Sequence, residues 1–264
     1  MRLHYKRAGQ GPAILLLHGS GSSLQGFEAV AARLSRAFTV VRLDLPGAGL
    51  TGPRPDRDYR IQAYVAVMEQ FLRALDLAPC AVVGNSLGGA IAWNLALDHP
   101  DRLTALVLVN ATGYPQKSQP AGLRLARNPL LRPLLRVWLP RGATERSLRA
   151  AVGPTSQIVD RAMVDRVHGL MSLPGNRSAF VDLANTDQPD RSAEIKRIST
   201  PTLVLRSAGI DAQHYARDIH ASHESVHPAA GHLLPEEDPA WVASQITAFL
   251  KSRAPSSRPL GASV

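Results

Sequence analysis

Ser86 is the residue whose position most strongly favours chemistry. It lies in the middle of Gly84-Asn85-Ser86-Leu87-Gly88. The apolar run Cys80–Val83 before it predicts a strand, and Gly88–Asp98 after it predicts a buried helix. A chain that reverses between strand and helix while presenting one side chain strains its backbone and leaves no room for bulk on either side. The glycines at 84 and 88 meet that requirement, so the pattern favours a nucleophilic serine over an incidental one.

Two backbone amides are predicted to stabilise negative charge beside this serine. Leu87 would begin the helix, where the partial positive charge of the helix N-terminus favours a developing oxyanion. Ser20 lies in Gly19-Ser20-Gly21, directly after the predicted strand Ala13–Leu17. We therefore expect the Ser20 and Leu87 amides to form an oxyanion hole, in which one donor typically contributes about 3–4 kcal/mol.

The surrounding elements alternate between strand and helix, which is typical of an α/β fold with a buried parallel sheet. A helical face with apolar residues at spacings of one and three covers Ile61–Leu75, and Pro239–Leu250 predicts a closing helix. The predicted strands are Arg2–Arg7, Ala13–Leu17, Thr39–Leu43, Cys80–Val83, Leu103–Val109 and Thr202–Leu205.

Residues 111–200 interrupt this alternation. They contain no clear strand and predict several short helices separated by prolines, a segment too long for a loop in a compact domain. It leaves the carboxyl edge of the sheet, where open α/β sheets bind their ligands. We therefore expect a core of 1–110 and 201–253, a helical cap of 111–200 over the site, and a loose Pro-, Ser- and Gly-rich tail of 254–264.

The predicted cap offers apolar contacts to a substrate. An apolar cluster spans 130–139, and it either packs a cap helix on the core or forms a ceiling over the substrate. Leu135 and Trp138 in this cluster, together with Leu233, are the predicted substrate contacts. Several arginines share the segment, and a solvated face is favoured over attraction of a carboxylate. They are Arg124, Arg127, Arg132, Arg136, Arg141, Arg146 and Arg149.

Composition excludes several other classes of protein. The net charge is +9, but the arginines are dispersed and aromatic residues are only 5% of the chain, which argues against nucleic acid as a partner. No run approaches the roughly 20 apolar residues of a membrane span. Cys80 is the only cysteine, so cytoplasm is the default location. The histidines lack metal-ligand spacing and no phosphate-binding loop occurs, so we expect no metal, no cofactor and a small-molecule substrate, with a homodimer left open.

The chain resembles the α/β-hydrolase superfamily, in its branch of capped ester and carbon–carbon bond hydrolases. The resemblance runs from about Leu3 to Leu250 and implies a mostly parallel sheet flanked by helices with a helical cap insertion. Six motifs in the family's order carry it: Leu15–Gly21, Asp44–Gly49, Gly84–Gly89, Leu106–Asn110, Pro201–Leu205 and Gly231–Pro239.

This resemblance implies the remaining catalytic residues. His232, in a Gly-His turn before the closing helix, matches the family's base, and His18 matches a structural histidine. Asp211 is the carboxylate nearest the position of the family's acid, although it is one residue out of place and the loop that follows is short. Asp218 and Glu224 are the alternatives. Relatives also usually have another edge strand before the one predicted at 2–7.

The resulting prediction is a serine hydrolase. Ser86, His232 and Asp211 would cleave an ester, or a related carbonyl compound, of a small and largely apolar substrate through an acyl-enzyme. Cleavage of a carbon–carbon bond in a vinylogous diketone is the nearest variant. A lyase, cyclase or acyl-transfer catalyst with an altered acid is the main alternative, and a non-catalytic ligand-binding protein is a third.

Overall fold

A seven-stranded sheet organises the protein in a computed structural model that describes residues 1–115, 121–210 and 213–253. The strand order is β1-β3-β2-β4-β5-β6-β7. Every neighbouring pair is parallel except β1 and β3, which are antiparallel. The strands are β1 (Tyr5–Ala8), β2 (Ala13–Leu17), β3 (Thr39–Leu43), β4 (Cys80–Asn85), β5 (Leu103–Val109), β6 (Thr202–Ser207) and β7 (Ser222–His227). The predicted fold class, a mostly parallel sheet flanked by helices, is confirmed.

The strand predictions failed where a strand is polar. β2, β3 and β5 have the predicted bounds, whereas β7 was not predicted. Its residues Ser-His-Glu-Ser-Val-His are exposed or half-buried because it is the edge strand beyond β6. An edge strand with little buried surface carries no apolar run that would reveal it. At the opposite edge, no described residue extends the sheet beyond β1.

The helices lie on both faces of this sheet. Those of the core are α1 (Glu28–Leu34), α2 (Ile61–Ala74), α3 (Leu87–Asp98), α9 (Tyr215–Asp218), α10 (Leu234–Glu237) and α11 (Pro239–Lys251). Short 3₁₀ helices occur at Leu24–Phe27, Pro100–Arg102 and Ser192–Arg197. The closing helix and the helix after Ser86 each lie within one residue of the prediction, whereas α1 was not predicted.

Two apolar cores sandwich the sheet. In β2, Leu15 and Leu17 join one core while Ile14 and Leu16 join the other, as the alternation of side chains along a strand requires. Residues of α2 and α3 complete the first core, and residues of α1 and α11 complete the second. Because both faces are covered, the inner strands such as β2, β4 and β5 are largely apolar, which made them visible in the sequence.

Five α-helices lie between β5 and β6 in the described part of this connection. They are α4 (Ala121–Arg127), α5 (Arg132–Val137), α6 (Arg141–Ala151), α7 (Arg161–Met171) and α8 (Asn176–Asn185). Two small apolar clusters hold them, one around Val181 and one around Met163. The apolar run at 130–139 contributes little to either, since Leu130 is 87% exposed. The predicted tail of 254–264 lies outside the described residues.

Candidate active site

Ser86 occupies the turn between β4 and α3, as predicted. Its φ of 53° and ψ of −114° place it in a strained region that residues other than glycine rarely adopt. The surrounding packing enforces this conformation. A Cβ at Gly84 would collide with the backbone of Gly88, and a Cβ at Gly88 would collide with the Leu17 carbonyl. The two glycines therefore allow the turn to press against the sheet.

Backbone hydrogen bonds fix the strained residue further. The Ser86 amide donates to the Val109 carbonyl at 3.1 Å, and the Ser86 carbonyl accepts from the amides of Ala90 and Thr112. The side chain is only 7% exposed, and the residue lines a large cavity. Ser86 is therefore presented to this cavity by a turn that has little freedom to move.

The predicted oxyanion donors lie beside the serine. Ser20 and Leu87 line the same cavity as Ser86. The loop that carries Ser20 approaches so closely that a Cβ at Gly19 would lie 3.2 Å from the Ser86 Cβ. No described residue accepts a hydrogen bond from the Ser20 or Leu87 amide. The two donors are thus free for a ligand within the part of the chain that the structure describes.

His18 shapes this loop and is not in contact with the cavity around Ser86. Its Nε2 accepts from the Leu45 amide at 2.9 Å, and its Nδ1 therefore donates to the Gly19 carbonyl at 2.7 Å. Burial lowers the pKa of His18 below its ordinary 6.5. The imidazole is accordingly neutral in the tautomer that holds both partners, in agreement with the structural role implied for it.

His232 lines the same cavity as Ser86. Its backbone is well anchored: its carbonyl accepts from the side-chain amides of Asn85 and Asn110 at 3.3 and 3.4 Å, and its amide donates to the Ala151 carbonyl at 2.6 Å. Burial lowers the pKa of the imidazole below 6.5. No described residue forms a hydrogen bond with the imidazole. The structure therefore places an imidazole with a lowered pKa at the cavity that Ser86 lines.

Glu237 ties the loop of His232 to the inserted helices. One carboxylate oxygen accepts from the Gly231 amide at 2.8 Å, and the other accepts from the Gly153 amide at 2.7 Å. Gly153 follows α6, so the loop at 229–233, which carries His232, rests on the end of an inserted helix. A Cβ at Gly231 would collide with the backbone of Val152 and Gly153, which shows how closely the two segments pack.

The catalytic acid is the one predicted member about which the structure says nothing. Asp211 lies outside the described residues. The two alternatives have other partners: Asp218 accepts from the Tyr114 hydroxyl at 2.8 Å and pairs with Arg217, and Glu224 pairs with Arg206. Neither contacts His232. The turn aspartate Asp44 is also engaged elsewhere, since it accepts from the amides of two loop residues, Leu24 and Leu50.

The cavity has a volume of about 710 Å³. Leu135 and Leu233, two predicted substrate contacts, line it. Trp138 does not line it and is 56% exposed, because it follows the end of α5 on the outer surface. Glu236 also faces the cavity, where burial raises the pKa of its carboxyl and Arg166 pairs with it at 2.7 Å.

The sequence did not reveal which residues hold the loop at 229–233. Asn110 is buried at the carboxyl end of β5, with a φ of 41°, and its amide also bonds the side chain of Ser207. Its signals were its place in the Leu106–Asn110 motif and its position directly after a predicted strand, at the edge where ligands bind. Glu237 lies in the Gly231–Pro239 motif, but nothing in the sequence indicated what it binds, because its partner Gly153 lies 84 residues away.

The described ranges meet neither the requirements of a metal cluster nor those of a membrane-spanning helix. Residues 1–115, 121–210 and 213–253 contain no group of three or more histidine, cysteine or acidic side chains arranged to hold a metal ion. Across the same ranges, every helix is too short or too polar to cross a bilayer.

Comparisons with known proteins agree with this architecture. An uncharacterized protein of Mycobacterium tuberculosis is 34% identical over 190 residues, which cover 68% of this chain and 54% of that protein. The chain thus matches about half the length of this relative. A 2-hydroxy-6-oxononadienedioate/2-hydroxy-6-oxononatrienedioate hydrolase of Burkholderia vietnamiensis is 30% identical over 227 residues, covering 78% of this chain and 73% of that enzyme.

Solved structures share the fold. A thermophilic esterase from Thermogutta terrifontis superposes with a TM-score of 0.79 at 24% identity, over 95% of this chain and 93% of that one, and this likeness shows the fold alone. The profile of the family described as alpha/beta hydrolase fold matches residues 12–239. Together with the seven-stranded sheet and the turn at Ser86, this match shows that the chain belongs to the α/β-hydrolase fold family.

Proposed function

We propose that the protein is a serine hydrolase that cleaves an ester of a small, largely apolar substrate. The single observation that carries this proposal is the strained Ser86 at the β4–α3 turn, which opens into the cavity that His232 also lines. A strained backbone at a residue other than glycine persists only where the surrounding structure enforces it, and such positions cluster at functional sites.

The proposed reaction begins with attack of the Ser86 hydroxyl on the ester carbonyl. His232 accepts the hydroxyl proton and then donates it to the leaving alcohol. The Ser20 and Leu87 amides stabilise the tetrahedral oxyanion, which is where charge develops. Water then attacks the acyl-enzyme by the same route and releases the acid. The lowered pKa of His232 keeps the imidazole neutral, and therefore basic, at neutral pH.

Asp211 is the proposed acid of this triad. Its role would be to hold the His232 imidazole in the tautomer that accepts the serine proton. The partners of Asp218 and Glu224 support this choice by elimination, since both carboxylates already form ion pairs with neighbouring arginines.

The helices α4–α8 are proposed to act as a cap over the cavity. Leu135 of α5 supports this assignment, because it lines the same cavity as Ser86 and as Leu233, the residue after His232. An apolar lining that excludes water also strengthens the electrostatic interactions at the reacting carbonyl.

A fluorophosphonate probe followed by peptide mass spectrometry tests the nucleophile. We expect labelling of Ser86, with loss of labelling in Ser86→Ala and His232→Ala. Ser244→Ala and His220→Ala are matched controls, since both side chains are exposed on the outer surface. Labelling at another residue, or labelling that survives the loss of His232, would overturn the proposal.

Hydrolysis of a carbon–carbon bond is a second candidate, favoured by the Burkholderia vietnamiensis relative, whose name describes a hydrolase of a 2-hydroxy-6-oxo dienoic diacid. The two reactions are separated by assaying p-nitrophenyl esters beside a vinylogous diketone. Turnover in ¹⁸O-labelled water separates both from lyase or cyclase chemistry, because only hydrolysis places solvent oxygen in the product acid.

A further inference from the structure

Arg177 is a charged side chain in the cavity whose role folding does not explain. It lies in the first turn of α8 and lines the cavity shared by Ser86 and His232. Its Nε atom is shielded from solvent and has no hydrogen-bond partner. A buried donor without an acceptor opposes folding, and more so when it belongs to a charged group. The position is therefore expected to serve a ligand.

The other arginines of the inserted helices behave differently. Arg136 pairs with Asp182 at 2.5 Å, Arg141 pairs with Asp165 at 2.7 Å, and Arg166 pairs with Glu236 at 2.7 Å. Arg124 and Arg146 are exposed, so water solvates them. Within the described ranges, Arg177 is the one arginine with a buried donor that nothing accepts from.

Among the described residues, none of the carboxylates around the cavity forms an ion pair with Arg177. Glu236 pairs with Arg166, and Asp187 lies 3.6 Å from Arg127. Asp190 accepts from the Ser192 amide. The first turn of α8 contains no acidic residue, and the positive end of the helix disfavours a cation there. Within the described ranges no carboxylate thus pairs with Arg177, which leaves that position to a ligand.

The remaining lining limits what else the ligand can be. Most of the side chains that face the cavity from the inserted helices are apolar, including Leu123, Leu135, Leu148, Phe180 and Val181. A planar guanidinium binds a planar carboxylate through two parallel hydrogen bonds, and one guanidinium balances one negative charge. An apolar body with a single carboxylate fits this lining better than a dianionic phosphate does.

We propose that the substrate carries a free carboxylate that Arg177 binds, separated by an apolar chain or ring from the carbonyl that Ser86 attacks. The inference rests on the proposed hydrolase function and specifies its substrate class. Half-esters of dicarboxylic acids are the simplest members of this class. Their hydrolysis by water yields an alcohol and a dicarboxylate, with the ester C–O bond broken and a carboxyl C–O bond formed.

A matched pair of substrates tests the preference. Mono-p-nitrophenyl adipate carries the free carboxylate, and methyl p-nitrophenyl adipate replaces it with a neutral ester. We expect kcat/KM to favour the acid by about 10- to 100-fold, the range of a buried charge-assisted contact. In Arg177→Gln this ratio should fall toward one. Arg161→Gln, at a side chain that is 91% exposed on α7, should keep the ratio of the unmodified protein.

Binding without turnover separates this inference from the proposed function. In Ser86→Ala, monomethyl adipate should bind at least tenfold more tightly than dimethyl adipate by calorimetry, and Ser86→Ala/Arg177→Gln should lose that difference. If esters are cleaved through Ser86 without preference for the acid, the carboxylate inference fails and the hydrolase proposal stands. If the binding difference is present but Ser86 is not labelled, the hydrolase proposal fails instead.

The stability of the ligand-free protein provides a third measurement. Because Arg177 lacks an internal acceptor, Arg177→Met should melt at or above the temperature of the unmodified protein. A lower melting temperature would show that the guanidinium has an internal partner and would contradict the inference. Equal binding of the acid and the neutral ester to Ser86→Ala would contradict it independently.

Discussion

The turn that carries Ser86 and the loop at 229–233 that carries His232 are held in place by different means. Gly84–Gly89 is fixed by neighbouring backbone, through hydrogen bonds with β5 and with Thr112 after it, and by packing that leaves no room for a Cβ at Gly84 or Gly88. The loop at 229–233 is fixed by side chains: Asn85 and Asn110 come from distant strand ends, and Glu237 comes from the adjoining helix α10. The first arrangement is determined by the local pattern of glycines, whereas the second exists only after the sheet and the inserted helices have come together.

Loss of Ser86, the proposed nucleophile, is expected to have the largest effect on kcat. Ser86→Ala should lower kcat for p-nitrophenyl esters by on the order of 10⁴-fold or more, because no other group can form the acyl-enzyme. Its fold should be unchanged, since the turn is held by backbone contacts that alanine keeps. Steady-state kinetics and circular dichroism check both points. Ester turnover in Ser86→Ala equal to that of Ser244→Ala would remove Ser86 from the mechanism.

The second-largest effect on kcat is expected for Asp211, the proposed catalytic acid. Asp211→Asn should lower kcat by on the order of 10⁴-fold, because His232 would be held in the wrong tautomer. Asp218→Asn and Glu224→Gln are the matched controls, and partly exposed ion pairs of their kind change stability by at most about 1 kcal/mol. Near-normal kcat in Asp211→Asn would contradict the assignment. A collapse in one control would identify the acid, and normal activity in all three would indicate a Ser–His dyad.

A mutation that loosens the loop at 229–233 is expected to lower activity, but by less than the loss of Ser86. Glu237→Ala leaves the Gly231 and Gly153 amides without their acceptor, and we expect kcat/KM to fall by about 10- to 100-fold, equivalent to about 1.4–2.7 kcal/mol. The control is Glu145→Ala, which removes a surface carboxylate paired with Arg149. Glu237 acts through His232, so the acid limb of the pH profile should also move toward pH 6.5 as the loop opens to water. An unchanged pH profile with lower stability would indicate a purely structural role.

The smallest expected effect is the dependence on pH. Burial lowers the pKa values of His18 and His232 in the folded protein below their ordinary 6.5, so the unfolded chain binds more protons as pH falls below that value. Both residues therefore contribute stability that is fully present above about pH 6.5 and is lost progressively below it. The acid limb of kcat/KM should likewise lie below pH 6.5.

Chemical denaturation at several pH values, beside kinetics of His18→Gln, checks this pH dependence. Glutamine retains a donor and an acceptor near the positions of the His18 ring nitrogens. That variant should therefore lose part of the stability change at low pH while the acid limb of kcat/KM stays in place. An acid limb above pH 6.5 would show that His232 has a raised pKa and would contradict the effect of burial.

The sequence by itself determined the parts of the protein that depend on neighbouring residues. Buried strands such as Ala13–Leu17 are apolar throughout, and the helix Pro239–Lys251 begins at a proline, so both were predicted within a residue. The turn at Ser86 was equally visible, because a strand, two glycines and a helix within 19 residues leave few alternatives. The exposed edge strand Ser222–His227 was missed because edge strands need no apolar run.

Only the tertiary structure decided how distant groups meet. Asn110 and His232 are 122 residues apart, and Gly153 and Glu237 are 84 apart, so no local pattern links them. The placement of Trp138 outside the cavity and of Arg177 inside it was decided in the same way, by how the inserted helices pack on the core. Whether a charged side chain finds a partner depends on that packing, and a single sequence records the side chain without its neighbours.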